Sequence, residues 1–222
     1  MLNKRQTGFT LVEIAIVLVI VGLLIGGVLK GQEMITNAKL KRVESDNAGI
    51  LAALYSYQDR YLQLPGDDDG ATGRFTVYTG VGASGDGDGA IGAGDDWDDP
   101  VTASGTWTDG TALGADETGK FFAHLRAAGL IAGGALEGKR PTNSFGGQIG
   151  IQDGSLQMVG QITIFGGIDG GISRILDGRL DDGVQNTGRV RSGIVGTAMT
   201  DVTPPASAGY SDSNSYHMAF RL

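Results

Sequence analysis

Phe9-Thr10-Leu11-Val12-Glu13-Ile14-Ala15-Ile16-Val17-Leu18-Val19-Ile20-Val21-Gly22-Leu23-Leu24-Ile25-Gly26-Gly27-Val28-Leu29 is the stretch on which the fold turns. Its 21 residues carry a single charge, Glu13. At about 1.5 Å per residue a helix of that length spans the roughly 30 Å apolar core of a bilayer. A cleavable secretory signal has a shorter apolar region, about 7–15 residues, followed by a small-residue cleavage site. No such pattern follows Leu29, so the stretch predicts a membrane-spanning helix. The flanking charges do not orient it: Lys4 and Arg5 precede the span, while Lys30, Lys39, Lys41 and Arg42 follow it.

Beyond Lys30 the pattern becomes amphipathic. Val43, Asn47, Ile50, Leu54, Tyr57 and Tyr61 recur every three or four residues, which marks one face of a continuing helix. No proline interrupts residues 1–64, and Leu64-Pro65-Gly66 ends the pattern. Continuous helix is therefore expected over residues 9–62, with 9–29 as its membrane or filament-core part. Of 39 glycines, only six lie in residues 1–62. That shift in composition separates the helix from a loop-rich head over residues 63–222, and the expected class is α+β.

Charge and composition narrow the function. The net charge of −8 disfavours nucleic-acid backbones as partners. The chain has no cysteine, so disulfides, thiolate metal sites and cysteine catalysis are excluded. Its two histidines are far apart, and neither a phosphate-binding loop nor a G-x-S-x-G elbow is present. The expectation is a protein that is not an enzyme.

Glu13 is the anomaly of the span. A carboxylate within an apolar helix costs about 2.5–3.5 kcal/mol on insertion scales. Two readings fit: it sits shallow and reaches interfacial water, or it awaits a cation supplied by another chain. Gly8-Phe9-Thr10-Leu11-Val12-Glu13, behind the short basic leader of residues 1–8, resembles the processing site of type IV prepilins and type II secretion pseudopilins. The resemblance implies that a prepilin peptidase and N-methyltransferase cuts after Gly8 and methylates Phe9. It further implies that Glu13 pairs with the Phe9 ammonium of a neighbouring subunit. The implied fold is the pilin one, a long helix packed on a small head with an antiparallel β-sheet. The implied partners are other pilin or pseudopilin subunits and an inner-membrane assembly platform with its ATPase. The implied location is the bacterial inner membrane, with the head in the periplasm, and then a pilus or pseudopilus in the periplasm or at the cell surface. Major pilins commonly carry a proline near the end of the apolar run. Here Gly22, Gly26, Gly27 and Gly31 stand there instead, so a major and a minor subunit are both open. His124–Ile131, Leu180–Gly183 and Thr187-Gly188 resemble segments of further prepilin-type proteins.

In the head, residues 66–99 hold nine aspartates against one basic residue, Arg74. They form either a solvated acidic loop or a cation site. Within them, Ser84–Asp95 follows the order of an EF-hand-type loop. Oxygen ligands fall at Ser84, Asp86 and Asp88, the turn glycine at Gly89, a backbone carbonyl at Ala90 and a carboxylate at Asp95. Serine in the first position and the short Asp95 carboxylate in the last depart from that pattern. Ca²⁺ is the expected ion, and a surface-binding or adhesive head displaying it is the alternative function. Asp181 and Asp182 form a second candidate, or simply a turn bonded to its own backbone. Asp116–Ile131 reads as a short helix stopped by Gly129, with Phe121, Phe122 and Leu125 facing the core and His124 packed or capping. Gln148–Ile151 and Leu156–Phe165 read as a hairpin turning at Asp153-Gly154. Gly171–Leu180 reads as a second short helix. The tail from Asp201 is expected to be extended or partly mobile until Tyr216–Leu222 closes it.

Overall fold

A computed structural model describes residues 9–92, 117–137, 139–194 and 209–222. The chain divides into two units between Lys41 and Arg42. In order, the elements are α1 (Leu11–Tyr61), α2 (Ala71–Arg74), a 3-10 turn (Thr76–Tyr78), α3 (Glu117–Ala127), β1 (Ile149–Ser155), β2 (Met158–Asp169), α4 (Gly170–Leu180), β3 (Val190–Ile194) and β4 (Ser215–Arg221). A long apolar N-terminal helix followed by a small head with a four-stranded antiparallel sheet is an α+β, pilin-like arrangement.

The first unit contains the apolar part of α1. Every large apolar side chain from Phe9 to Leu29 is exposed, from 43% at Val21 to 87% at Leu11. None of them contributes to an internal core.

In the second unit, the remaining turns of α1 bury the stripe that periodicity marks. Val43, Ile50, Leu54 and Tyr57 are all buried, and Asn47 accepts a hydrogen bond from the Thr163 hydroxyl of β2. Tyr57 continues into a cluster of rings. Its ring lies 4.6 Å from Tyr61 and 6.2 Å from His124, and Phe75 and Tyr78 complete the group. α1 ends where Leu62 takes φ 57°, its amide still bonded to the Gln58 carbonyl at 2.8 Å.

The sheet order is β1-β2-β4-β3, antiparallel throughout. The C-terminal segment therefore inserts as an interior strand between β2 and β3. Along β2, Ile162, Thr163, Ile164 and Phe165 are consecutive buried residues, as expected of a strand covered on both faces. β3 is not anticipated by the sequence, because Val-Arg-Ser-Gly-Ile is short and carries only two β-branched apolar residues.

The β1–β2 hairpin turns in a different place from the one expected. β1 runs on through Asp153-Gly154 to Ser155, and the turn is Leu156-Gln157, both left-handed at φ 48° and 59°. Two left-handed central residues make the primed turn whose twist matches a hairpin. Gly154, at φ 70°, instead coincides with the register shift between Asp153 and Ser155. Leu156 tolerates its backbone because its side chain is buried in a cluster with Met158, Ile162, Ile164 and Ala219. The gain from burying an apolar side chain, about 1.5–3 kcal/mol, outweighs the usual preference for Asn-Gly.

α3 ends as expected: Gly129 adopts φ 70° and the Leu130 amide reaches back to the Leu125 carbonyl at 2.9 Å. α4 packs on β2, β3 and β4, and its Arg179 pairs with Glu44 of α1 at 3.2 Å.

Candidate functional site

The first candidate is the start of α1. Thr10 and Glu13 form a reciprocal cap. The Thr10 amide donates to Glu13 Oε2 at 2.8 Å and the Thr10 hydroxyl to the same oxygen at 2.9 Å, while the Glu13 amide donates to Thr10 Oγ1 at 3.3 Å. This is the threonine–glutamate capping box, three residues apart, which satisfies orphan amides at a helix start. Glu13 thus has a role within its own chain that neither sequence reading anticipated, although T-x-x-E was legible. Phe9 is 83% exposed, and Gly8 lies outside the described residues.

The second candidate is a group of four carboxylates. Ligand oxygens of Asp67, Asp86, Asp88 and Glu117 all lie within 4.8 Å of one another. Asp86 and Asp88 belong to the expected loop, while Asp67 and Glu117 come from elsewhere in the chain. Of the other residues in that reading, Ser84 is engaged with Thr72: its hydroxyl donates to Thr72 Oγ1 at 2.9 Å and accepts the Thr72 amide at 3.1 Å. The Ala90 amide donates to Asp88 Oδ1 at 2.8 Å. Asp95 lies outside the described residues.

One face of α3 holds this loop by its backbone. Glu117 accepts the amides of Asp86 (3.1 Å) and Gly92 (3.0 Å). One turn on, Lys120 donates to the Ser84 carbonyl at 2.8 Å. A further turn on, His124 accepts the Gly66 amide at Nδ1 (2.8 Å), which leaves Nε2–H to donate to the Ala83 carbonyl (2.7 Å). From the other side, Asp67 accepts the amides of Gly87 (2.7 Å) and Gly89 (3.0 Å). Gly85 runs so close to the Asp67 backbone that a Cβ there would overlap it. Burial pushes the Asp67 and Glu117 carboxyls above their ordinary values. Repulsion from Asp88 adds to this for Asp67, and from Asp86 and Asp67 for Glu117, against the amides that stabilise the charge. Hard oxygen donors of this kind suit a divalent cation, and the flexible coordination of Ca²⁺ fits carboxylates from three segments better than the strict octahedron of Mg²⁺. Asp67 and Glu117 were not singled out as ligands because only tertiary structure brings residues this far apart in the chain together. The acidic run 67–69 and the acidic start of α3 were the available signals.

The third candidate joins Asp181 and Asp182 to Asp177, again within 4.8 Å. Here, as in the second group, the side chains are engaged with the backbone. Asp181 accepts the amides of Arg189 and Val190 (2.9 Å for Val190), and Asp182 accepts the Val184 amide (2.8 Å) and the Thr187 hydroxyl (2.5 Å). The Val190 amide and the Ser192 amide, which donates to the Gln185 carbonyl at 3.0 Å, lie on the outer edge of β3. The Asp-Asp-Gly turn therefore covers a sheet edge that would otherwise be open to another strand. Asp177 is fully buried and receives the Tyr210 hydroxyl at 2.6 Å. Burial holds its carboxyl above the ordinary range, partly offset by that hydroxyl.

Residues 3–29 match the family model of the prokaryotic N-terminal methylation motif. This motif is the signature of type IV pilin- and pseudopilin-type prepilins, and the match runs from Asn3 through the apolar part of α1 to Leu29. The motif places Thr10 and Glu13 of the capping box inside the matched segment. The head lies outside the match. No curated protein and no solved structure matches the chain.

Proposed function

We propose that the chain is a structural subunit of a type IV pilus or a type II secretion pseudopilus, processed by prepilin peptidase and assembled through α1. The observation that carries this reading is the coincidence of the methylation motif with a stretch whose large apolar side chains are all exposed. Such a surface needs a lipid or protein environment to cover it. In the proposed sequence, the peptidase cuts after Gly8 and Phe9 becomes the methylated first residue. The chain waits as a single-span protein of the inner membrane with its head in the periplasm. An assembly platform and its ATPase then move it into a filament, where the apolar helices bundle and Glu13 pairs with the Phe9 ammonium of a neighbour.

The capping box makes the test unusually clean. Glutamine at the third helical position can close the same box, so Glu13→Gln keeps the cap while removing the charge. If Glu13 serves only its own helix, the variant assembles normally. If it pairs across subunits, the variant leaves an ammonium buried without its partner, at a cost of about 3–5 kcal/mol. Incorporation into sheared filaments, measured by immunoblot at equal cellular level, is then expected to fall about a hundredfold or more. Wild-type incorporation of Glu13→Gln overturns the pairing.

A second reading is favoured by the four-carboxylate group. In it the head is a calcium-binding module displayed at a filament tip or surface to contact other molecules. The two readings differ in abundance: a bulk subunit dominates the sheared fraction, whereas a displayed one is a trace component.

A further inference from the structure

The dipeptide Asp-Gly occurs eight times in this chain, at Asp69, Asp86, Asp88, Asp109, Asp153, Asp169, Asp177 and Asp182. Among aspartyl dipeptides it is the one most prone to spontaneous backbone isomerisation, because glycine offers no side chain to hinder attack by its own nitrogen. Among the described residues, four of the following glycine amides are bound by the carboxylate of another aspartate. Asp67 holds Gly87 at 2.7 Å and Gly89 at 3.0 Å, Asp68 holds Gly70 at 2.9 Å, and Asp177 holds Gly183 at 3.3 Å. All three of the holding aspartates are buried, at 0–1% exposure. Asp86 and Asp88 themselves are exposed.

We propose that Asp86 and Asp88 are latent sites of aspartate-to-isoaspartate conversion, and that the buried Asp67 carboxylate is the latch that suppresses it at both. The reaction is balanced by water alone. The glycine nitrogen attacks Cγ of the preceding aspartic acid and closes a five-membered succinimide. The amide proton and the carboxyl hydroxyl leave together as one water molecule. A second water then opens the ring at either carbonyl, giving back aspartate or giving isoaspartate of the same mass. The nucleophile is the glycine nitrogen, which must shed its proton and swing onto Cγ. An amide bound to an ionised acceptor does neither readily, since charge-assisted hydrogen bonds are the strong ones.

The chain cannot escape the chemistry by changing its glycines. Gly87 and Gly89 stand at φ 77° and 91°, where a side chain would be strained. Nor can it readily change the aspartates, whose side chains hold the loop's own amides: Asp86 accepts from Asp88 at 3.2 Å and Asp88 from Ala90 at 2.8 Å. Isomerisation would insert an extra methylene into the backbone at either point and disperse the four carboxylates. With both Asp-Gly steps fixed by conformation, protection falls to the residue that binds the two nitrogens.

The test is site-resolved isoaspartate formation in the full chain in detergent, read by electron-based fragmentation during incubation at neutral pH and 37 °C. The same chain in concentrated urea gives the unprotected rate. Native rates at Asp86 and Asp88 are expected to be about tenfold or more below the urea rates, the scale of one charge-assisted hydrogen bond. Gly87 and Gly89 sit on Oδ1 and Oδ2 of Asp67, so the single side-chain oxygen of Asp67→Asn can hold only one of the two amides, while Gly87 keeps its bond to the Asp67 main-chain carbonyl at 3.0 Å. The variant is expected to raise the summed rate at Asp86 and Asp88 at least severalfold while leaving Asp69 and Asp182 slow under Asp68 and Asp177. Glu117→Gln, which touches the Asp86 and Gly92 amides but neither Asp-Gly nitrogen, is expected to leave all four steps slow. Native rates equal to the urea rates overturn the proposal without recourse to any variant. A uniform rise at all four steps in Asp67→Asn assigns the protection to the fold as a whole and overturns the latch.

Discussion

Acidification from pH 7 to pH 5 is expected to destabilise the head through His124, and the structure sets the size of the loss. The ring is fully buried on α3, stacked on Tyr57 with Tyr78 5.8 Å away. Burial is the main reason its pKa falls from 6.5 to about 4, with Lys120 and Arg74 adding repulsion and the Ala83 carbonyl opposing it. Protonation would also turn Nδ1 from an acceptor into a donor facing the Gly66 amide. Because the folded value lies below the unfolded one, the contribution to stability is complete above pH 6.5. It is lost as the pH falls towards 4, where the native state also takes up the proton. A fall from 6.5 to about 4 is worth about 3 kcal/mol in full, of which about 2 kcal/mol is gone by pH 5. His217 on β4 is depressed to about 4 as well, chiefly by burial. The raised carboxyls of Asp67, Glu117 and Asp177 act with the opposite sign, since their penalty lifts as they protonate. The informative quantity is therefore a difference. Urea unfolding of a chain starting at Gly31, followed from pH 7 to 4.5 in wild type and in His124→Gln, isolates one histidine. The variant loses two buried hydrogen bonds at every pH, but its stability should fall less steeply with acid, by about 1 kcal/mol per pH unit near pH 5. Parallel stability curves for the two proteins would refute the argument, because they would mean that His124 titrates alike in the folded and unfolded chain.

Three further outcomes are expected. Mature protein should begin at Phe9, taking the formal charge from −8 to −10 through loss of Lys4 and Arg5; N-terminal sequencing checks this, and Gly8→Val should leave the uncut precursor in the membrane. Millimolar Ca²⁺ should raise the head's melting temperature, by about 2.7 kcal/mol of stability at a hundredfold excess over Kd. Asp86→Ala with Asp88→Ala should abolish that rise; a rise that survives the pair but is lost in Asp181→Ala would move the site to the other turn, and identical curves in calcium and chelator would remove it. Tyr210→Phe should cost about 1.5–3 kcal/mol, because it strips the buried Asp177 carboxylate of its 2.6 Å hydroxyl donor. That deficit should shrink as acid protonates Asp177, whose carboxyl burial already pushes up; a pH-independent deficit in equilibrium unfolding would argue that the loss is one of packing.

Local order in the sequence was enough to determine the long helix, its apolar span and its buried stripe, because a period of 3.6 and a run of 21 residues are properties of neighbours in the chain. The methylation motif was legible for the same reason, being one unbroken segment. The ends of α3 and α4 could also be read, since glycine and Asp-Gly stop a helix through their own backbone preferences. Tertiary structure alone decided what depends on distant partners. Leu156-Gln157 displaced Asp153-Gly154 as the hairpin turn because a buried leucine was worth more than an easy backbone. The C-terminal segment became an interior strand because β2 and β3 each offered it an edge. Asp86 and Asp88 were recognisable as ligand-like, but Asp67 and Glu117 joined them only through folding, since α3 binds the loop by its backbone. The role of Asp67 was equally invisible, because nothing in a run of three aspartates says which carboxylate will be buried beneath two glycine amides some twenty residues away.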